Sequence, residues 1–409
     1  MTSTLKPLFT HGVESGDLSK ALETVRRHLG MDVAFISEFR EDDRVFQHVS
    51  AEEPSPLHPG DVMPLDSGYC RHVVEGRLPE LIPDTADVPL ARALPETEAL
   101  PVRSHLSVPI VLEGGRIYGT LCCFGFEPNP TLGQRDLQML RAFAELMADR
   151  IGSDLRRLAI VQEQSQRIGQ VIQQDRLSIV YQPIVHVESG RTAGWECLAR
   201  FPLDPQRAPD LWFREALDIG WGPQLEGFAM RKALQTLARF PADTYLAVNA
   251  SPALVLSDEL ASAFEGVPME RVVLEITEHE VVEDYDALIR ALAPWRMRGL
   301  RIAIDDAGAG YASMRHTLNL QPDYIKLDMS LTRDIDHDPR RRALATALIA
   351  FANAIGSTIT AEGVETAAEL DQLRALGATK VQGYFLGRPV RLDEALRPPG
   401  RPPVLRTVD

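Results

Sequence analysis

The sequence predicts two folded parts, an α+β domain followed by a larger α/β barrel around a parallel sheet. In the first third of the chain, helical patterns mix with strand patterns, and the turn signal Glu113-Gly114-Gly115 joins two of the strands. From Leu177 onward, short β-rich apolar runs alternate with helical stretches. That alternation is typical of parallel strands connected by helices, so we expect a barrel there.

Composition and charge exclude several classes of protein. The 409 residues are 44% hydrophobic and 25% charged, as in a globular protein of two or three domains. A formal charge of -15 argues against a surface that coats polymeric nucleic acid. We find no signal peptide and no apolar run long enough to cross a bilayer, so no membrane insertion is expected. Four cysteines make no disulfide framework, and a cytoplasmic location is expected.

The elements of the first domain follow from the spacing of its apolar residues. Recurrence at helical spacing predicts helices, alternation predicts strands, and a proline-punctuated stretch predicts a long loop. The predicted elements, in order, are a helix over residues 18–29, strands over 31–39 and 45–49, a helix over 67–74, a loop over 84–100, strands over 105–112 and 116–126, and a closing helix over 136–151. Together they make an α+β unit.

The cysteines of the first domain allow two interpretations. Cys70, followed by Arg71 and His72, could hold a covalent chromophore or act as a redox thiol. The plainer alternative, which we favour, is a half-buried structural cysteine on a helix. Cys122 and Cys123 are adjacent in a predicted strand and should face opposite sides of it, so they fit a core better than a metal pair.

A charged, glutamine-rich stretch over residues 153–174 links the two parts. Its apolar residues recur at near-heptad spacing, which predicts a linker helix between the domains. The helix could form a parallel seam between two copies of the chain, or it could be a solvated linker packed on its own domain. We expect the two domains at residues 13–152 and 175–395, with a tail over residues 396–409.

Oxygen-bearing side chains end nearly every predicted strand of the second part. The residues at the strand ends are Glu196, Asn249, Glu275, Asp305, Lys326, Glu362 and Gln382. Only the lysine breaks the pattern. In a parallel barrel the carboxyl ends of the strands meet at one mouth, so these side chains should converge. Because the set holds no histidine or cysteine, it suits the hard cations Mg²⁺ or Mn²⁺.

Two adjacent carboxylates, Asp305 and Asp306, stand between an apolar run and the glycine-punctuated loop over residues 307–310. Neighbouring carboxylates repel each other and are costly to bury without a partner, so they favour a bound cation. For an isolated pair, a solvated turn is the alternative. Here the pair could bridge two metal ions, which together activate a water and stabilise the leaving oxygen in phosphodiester hydrolysis.

Short motifs carry a family resemblance in the first domain. They are Ser107-Val108-Pro109-Ile110, Tyr118-Gly119-Thr120-Leu121-Cys122-Cys123-Phe124, and Ser67-Gly68-Tyr69-Cys70 followed by Leu78-Pro79-Glu80-Leu81-Ile82-Pro83-Asp84. Through them the domain resembles a GAF domain. Members of that family hold small molecules, chromophores or haem, or only dimerise. The resemblance therefore implies a sensor domain, with a small-molecule ligand whose identity the motifs do not give.

A longer set of motifs spans the second part. In order they are Tyr181-Gln182-Pro183-Ile184-Val185, Glu196-Cys197-Leu198, Val248-Asn249-Ala250-Ser251, Leu274-Glu275-Ile276-Thr277-Glu278, Asp305-Asp306 with Gly308, Gly310 and Tyr311, Tyr324-Ile325-Lys326-Leu327-Asp328, Ala361-Glu362-Gly363-Val364-Glu365 and Gln382-Gly383-Tyr384. Residues 177–389 thereby resemble an EAL domain. The resemblance implies a modified (β/α)8 TIM-like barrel with an early antiparallel strand. It also implies hydrolysis of cyclic-di-GMP to linear pGpG in bacterial second-messenger signalling.

The resemblance further implies a role for each polar residue of the mouth. The metal ligands would be Glu196, Asn249, Glu275 and Asp305 for one ion, and Asp305 with Asp306 for a second. Lys326 would orient the attacking water, and Glu362 would be the general base or a metal ligand through water. The remaining implied roles are contact with the substrate or its water for Gln382, contact with a phosphate for Arg200, and support of the loop after Asp306 for Glu278 and Glu365.

Two positions depart from the family pattern. Cys197 stands where the family has alanine, and its side chain should point into the barrel wall. The loop after Asp306 reads Ala307-Gly308-Ala309-Gly310, where the family prefers Phe-Gly-Thr-Gly. We therefore expect activity with weaker metal affinity or a stronger dependence on a homodimer. The alternatives are a catalytically silent receptor for cyclic-di-GMP and a protein-interaction scaffold, but none of the expected acids is missing.

Overall fold

The computed structural model describes residues 15–52, 54–204, 206–276, 282, 284–307 and 311–397, with only the backbone of residues 15–17, 306 and 311–313. The chain divides into two compact units, Met1–Ile160 and Val161–Asp409. Short 3-10 turns lie at Leu65–Ser67, Thr85–Asp87, Leu237–Arg239 and Met269–Arg271. Among the described helices, none combines the length and the apolar character needed to cross a membrane.

The first unit is built on an antiparallel sheet. Its elements are α1 (Ser15–His28), β1 (Val33–Arg40), β2 (Asp43–Ala51), β3 (Val62–Pro64), α2 (Tyr69–Val74), β4 (Leu81–Ile82), α3 (Pro89–Ala93), α4 (Pro95–Ala99), β5 (Ser104–Val111), β6 (Ile117–Gly125) and α5 (Gln134–Gln173), whose residues from 161 onward belong to the second unit. The strand order is β3-β2-β1-β6-β5-β4, and every neighbouring pair is antiparallel. The predicted helices and strands of this domain are all present.

Both faces of this sheet are covered, because its strands carry apolar residues on both sides. Ile36 packs with residues of α1 and α5 in one core cluster. Its neighbour Phe35 packs in the other, beside α2. Cys123 and Cys122 divide between the same two clusters, as predicted for adjacent strand residues.

Three predictions for this unit need correction. The predicted loop over residues 84–100 contains the short helices α3 and α4, each of which begins with proline. Proline is tolerated in a first helical turn, where the backbone N–H has no partner in the helix, so it marks helix starts here. The helices predicted over residues 136–151 and 153–174 are one helix, α5, of 40 residues. Cys70 is fully buried rather than half-buried.

The second unit is a closed barrel wrapped by helices. Its strands are β7 (Ser178–His186), β8 (Thr192–Arg200), β9 (Tyr245–Ala250), β10 (Val272–Ile276), β11 (Arg301–Ala307), β12 (Tyr324–Leu327), β13 (Thr358–Ala361), β14 (Lys380–Val381) and β15 (Val390–Arg391). Its helices are α6 (Pro209–Asp218), α7 (Gly222–Leu234), α8 (Pro252–Val255), α9 (Asp258–Ala263), α10 (Tyr285–Met297), α11 (Tyr311–Leu320), α12 (Met329–Thr332), α13 (Pro339–Ala354), α14 (Ala367–Ala375) and α15 (Leu392–Ala395).

Strands β7 to β14 form the barrel in sequence order, and the pairing of β14 with β7 closes it. The pairs from β8 to β14 are parallel, whereas β7 is antiparallel to both of its barrel neighbours. β15 adds to the exposed part of the β7 edge. The barrel and its early antiparallel strand, which the resemblance implied, are therefore confirmed.

Candidate active site

Strand alternation brings the predicted site residues onto the inner face of the barrel. Side chains two positions apart on a strand face the same side. Val273 and Tyr324 belong to a buried cluster drawn from neighbouring strands, which fills the barrel interior. Glu275 and Lys326 follow them by two residues and therefore lie one layer nearer the carboxyl ends of the strands. Asn249 and Asp305 stand in the same relation to Ala247 and Ala303 of that cluster.

Lys326 is the centre of the site. Its Nζ lies 2.7 Å from Glu275 Oε2, 2.7 Å from Glu362 Oε1, 3.0 Å from Asp305 Oδ1 and 3.9 Å from Glu196 Oε1. The four carboxylates come from β8, β10, β11 and the residue after β13, so separate parts of the barrel meet at one ammonium group. Because one cation faces four carboxylates, negative charge is in excess. We name these five residues the Lys326 cluster.

Burial and mutual repulsion perturb the acids of the Lys326 cluster. Burial raises the pKa of Glu275 well above its usual range, against the charge of Lys326. Burial also raises the pKa of Glu362 to about 8, again against Lys326 and with the help of Asp305. Burial alone would lower the pKa of Lys326, but the surrounding carboxylates raise it well above its usual value. The ammonium is therefore retained, and the carboxylates are under-compensated.

Glu196 is held by amide side chains. Gln382 Nε2 donates to Glu196 Oε2 at 2.5 Å, and Asn249 Nδ2 donates to Glu196 Oε1 at 3.4 Å. Gln382 Nε2 also donates to Gln182 Oε1 at 3.1 Å, while Gln382 Oε1 is buried without a partner among the described residues. Gln182 was quoted in a motif but given no role. Its register opposite Glu196 on the β7–β8 hairpin is what places it here.

The remaining predicted residues lie around the mouth or outside the described part of the chain. Arg200 ends β8, and its Nη1 donates to the carbonyl oxygen of Ala199 at 2.8 Å. Glu365 accepts from Arg333 at 2.5 Å, and both side chains are exposed. Glu278, the loop residues 308–310 and the side chain of Asp306 are outside the described residues. Their predicted roles therefore stay predictions.

The donor set fits a hard divalent cation in its chemistry. Carboxylate oxygens and the side-chain amide of Asn249 are ligands that Mg²⁺ and Mn²⁺ prefer, and a cation would offset the excess negative charge. As placed, however, no three His, Cys, Asp or Glu of the described residues are arranged to hold a metal ion. The ammonium of Lys326 lies between the carboxylates instead. Metal binding therefore requires these side chains to rearrange.

Two residues that depart from the family pattern, Cys197 and Ala307, lie in the described part of the chain, and both are packed in core clusters. Cys197 is buried in the core cluster that also holds Tyr181 and Met230, away from the mouth as predicted. Ala307 is 1% exposed and packs with Val185 and Leu327. The small side chain thus fills its own site, and a phenylalanine there would overpack a core.

Family models and solved structures agree with this geometry. The EAL domain model matches residues 136–389, which is more than half of the chain, and the GAF domain model matches residues 18–151. The chain therefore belongs to the EAL domain family, with a GAF domain in its first unit. A solved structure of the PaMucR phosphodiesterase in a c-di-GMP complex is 28% identical, with a TM-score of 0.51. The match covers 57% of this chain and 99% of that chain.

Curated relatives match the second unit. The cyclic di-GMP phosphodiesterase NbdA of Pseudomonas aeruginosa is 31% identical over 250 residues, which cover 58% of this chain and 32% of that protein. The bifunctional diguanylate cyclase/cyclic di-GMP phosphodiesterase MucR of the same organism is 30% identical over 253 residues, which cover 58% of this chain and 37% of that protein. The chain thus spans about a third of the length of these relatives.

Proposed function

We propose that the second unit is a metal-dependent phosphodiesterase that hydrolyses cyclic-di-GMP to linear pGpG. The observation that carries this proposal is the convergence of four carboxylates from separate strands on Lys326 at the mouth of the barrel. Relatives at about this level of similarity are named as phosphodiesterases of the same nucleotide, which supports the choice of substrate.

Charge explains why such a mouth needs metal ions for this substrate. A cyclic dinucleotide carries an anionic phosphodiester, which an excess of carboxylates repels. Mg²⁺ or Mn²⁺ held by Glu196, Asn249, Glu275 and Asp305, with Asp306 beside a second ion, would reverse that charge. When bound, the ions lower the pKa of a water and stabilise the leaving oxygen.

The chain's own residues would orient and deprotonate the water. Glu362 would accept the proton, and burial, which raises its pKa to about 8, makes its ionised form a stronger base than an exposed glutamate. Lys326 would then hold the oxygen of that water by a charge-assisted hydrogen bond. Gln382 would keep Glu196 in place, and its buried Oε1, which has no partner among the described residues, would be available to the substrate or its water. Arg200, at the end of β8, would contact a phosphate after leaving the carbonyl oxygen of Ala199.

The first unit is proposed to regulate the barrel as a GAF sensor. The match of its residues to the GAF domain model supports this role, and the ligand is left open. We further propose that residues 153–174 act as the linker between domains at 13–152 and 175–395, in a cytoplasmic homodimer.

The test is a hydrolysis assay on the purified full-length chain. With cyclic-di-GMP and Mg²⁺ or Mn²⁺, chromatography should show pGpG, and removal of the metal with EDTA should stop its formation. Glu196→Ala and Glu362→Ala should each lower turnover by about 10² to 10³. Asp393→Asn, which removes an exposed carboxylate at 87% side-chain exposure, is the control and should not change turnover. If the chain bound cyclic-di-GMP tightly but formed no pGpG, the interpretation as a receptor would replace the interpretation as a hydrolase.

A further inference from the structure

A second polar cluster lies inside the barrel at the opposite end, where the strands begin. Lys380 is the first residue of β14 and precedes the site residue Gln382 by two positions, so both face the interior. Arg301 is the first residue of β11, and Arg271 directly precedes β10. The three side chains line one cavity of about 330 Å³. We name them the Lys380 cluster.

Lys380 is buried, at 5% exposure, beside the side chains of Tyr245 and Tyr324. Its Nζ donates to the hydroxyl of Tyr245 at 3.2 Å. The same nitrogen lies 3.9 Å from the ring centre of Tyr324 and 4.6 Å from that of Tyr245. Ring faces attract a cation, but they carry no charge that could neutralise it.

The two arginines are also held by neutral acceptors. Arg301 Nη1 donates to the hydroxyl of Tyr324 at 2.7 Å, and its Nη2 donates to the carbonyl oxygen of Glu270 at 3.0 Å. Arg271 donates to backbone carbonyl oxygens, including that of Thr244 at 3.0 Å. Within the described ranges, no carboxylate forms an ion pair with any member of the Lys380 cluster. Positive charge is therefore in excess at this end.

The acids that line the cavity do not neutralise the positive charge of the Lys380 cluster. Asp243 lines the same cavity, but its carboxylate pairs with Arg191 at 3.3 Å. Glu270 also lines the cavity, and its residue is exposed to solvent. Burial, together with the charge of Arg301, lowers the pKa of Lys380 to about 7. A buried ammonium without a counter-ion is unfavourable, and an anion that enters the cavity would offset that cost.

We propose that the Lys380 cluster binds a small tetrahedral oxyanion, a phosphate group. Guanidinium and ammonium groups together offer several N–H donors to phosphate oxygens, and Arg271 and Arg301 are anchored in place by their carbonyl and hydroxyl partners. The size of the cavity suits a phosphate group with its water. Free inorganic phosphate and the phosphate monoester of a nucleotide share this chemistry. The site is separate from the mouth, so it does not depend on the proposed hydrolysis.

The test is calorimetric titration of the full-length chain in a chloride buffer with EDTA, where the carboxylate mouth repels anions. The titrants are sodium phosphate, GMP and guanosine. We expect saturable binding of phosphate, of GMP or of both, one per chain, and none of guanosine. Phosphate alone would identify the free ion, and tighter binding of GMP would identify the monoester. Lys380→Met and Arg301→Gln should each weaken binding tenfold or more.

Matched controls decide the outcome. Lys232→Met removes a lysine that pairs with Asp175 on the surface, and it should bind phosphate as the wild type does. The four tryptophans all lie in the second unit, so their fluorescence checks that each variant is folded. If Lys380→Met does not fold, Arg301→Gln carries the test. No saturable binding to the wild type, unchanged binding in the folded variants, or equal binding of guanosine would overturn the proposal.

Discussion

The two units each bury a cluster around one cation, and the two clusters differ in charge balance. In the first unit, Arg44 is fully buried, pairs with Glu96 at 2.7 Å and donates to Cys70 Sγ at 2.9 Å. In the barrel, Lys326 faces four carboxylates. The first cluster finds its counter-charge within the chain. The Lys326 cluster has more carboxylates than one ammonium can neutralise, which is why we propose that it binds metal ions.

Cys70 adds a second anionic partner to the first cluster. Burial alone would raise the pKa of its thiol, but a hydrogen bond with Cys122 and the charge of Arg44 lower it to about 6. The two sulfurs lie 3.6 Å apart. Even with a thiolate, Arg44 meets fewer negative groups than Lys326 does. Charge balance within a buried cluster therefore separates a structural role from a binding role more clearly than burial does.

The largest expected effect comes from removing the charge that neutralises Glu96 in the first unit. Arg44→Met leaves Glu96 buried without its partner, which should lower the stability of that unit by about 3 to 5 kcal/mol. Hydrogen exchange of the amides of β1 and β6 in increasing urea measures it. The double variant Arg44→Met/Glu96→Leu should recover most of the loss, because it removes both charges. Tryptophan fluorescence, which reports on the second unit, is the internal control. If the double variant lost as much stability as Arg44→Met alone, Arg44 and Glu96 would not be a pair that neutralise each other.

The next prediction tests whether the excess of carboxylates in the Lys326 cluster binds a metal ion. Mg²⁺ or Mn²⁺ at a hundred times its dissociation constant should raise the free energy of unfolding of the second unit by about 2.7 kcal/mol. Urea titration followed by tryptophan fluorescence measures the change. Glu275→Gln, which removes a proposed ligand, should reduce the gain, and amide exchange in the first unit should not respond. Equal stabilisation of wild type and Glu275→Gln would place the ions elsewhere.

The smallest effect concerns pH and the first unit. His105 stacks on Tyr69 with ring centres 4.3 Å apart, and burial, helped by the charge of Arg44, lowers its pKa to about 3. The unfolded chain binds a proton near pH 6.5 that the folded chain does not, so stability should fall as pH drops below 6.5. The loss between pH 7 and pH 5 should be about 2 kcal/mol. His105→Phe keeps the stacking and should lose less over the same range. Identical pH profiles would remove His105 as the cause.

The spacing of apolar residues predicted most of the helices and strands. The prediction failed where one residue type can indicate two different structures. Proline both breaks and starts helices, so residues 89–99 were predicted as loop although α3 and α4 form there. The antiparallel direction of β7 does not show in the periodicity and its pairing with β14 lies far along the chain, although its hairpin with β8 across the short turn over residues 187–191 is a local feature. Only the family resemblance implied it.

The mouth could be predicted because each of its acids follows an apolar run, so a local rule finds them. Arg44 and Glu96 meet through long-range packing between β2 and α4, and neither residue stands out in the sequence. Lys380 does not follow an apolar run, so the rule that finds the acids of the mouth does not find it. Counting back two residues from Gln382 would have placed a lysine inside the barrel.

The seam of the barrel is sparsely paired. β7 shares eight paired positions with β8, but across its other edge it shares two with β14 and two with β15. Cross-strand pairing between β14 and β7 is thus as sparse as that between β13 and β14, which also share two positions. Since local opening follows the sparsest backbone contacts, β14 and the part of β7 that pairs with it should be the first parts of the barrel to exchange their amide protons. Any truncation or fusion that removes residues 390 and 391 leaves Val180 and Tyr181 as a bare edge.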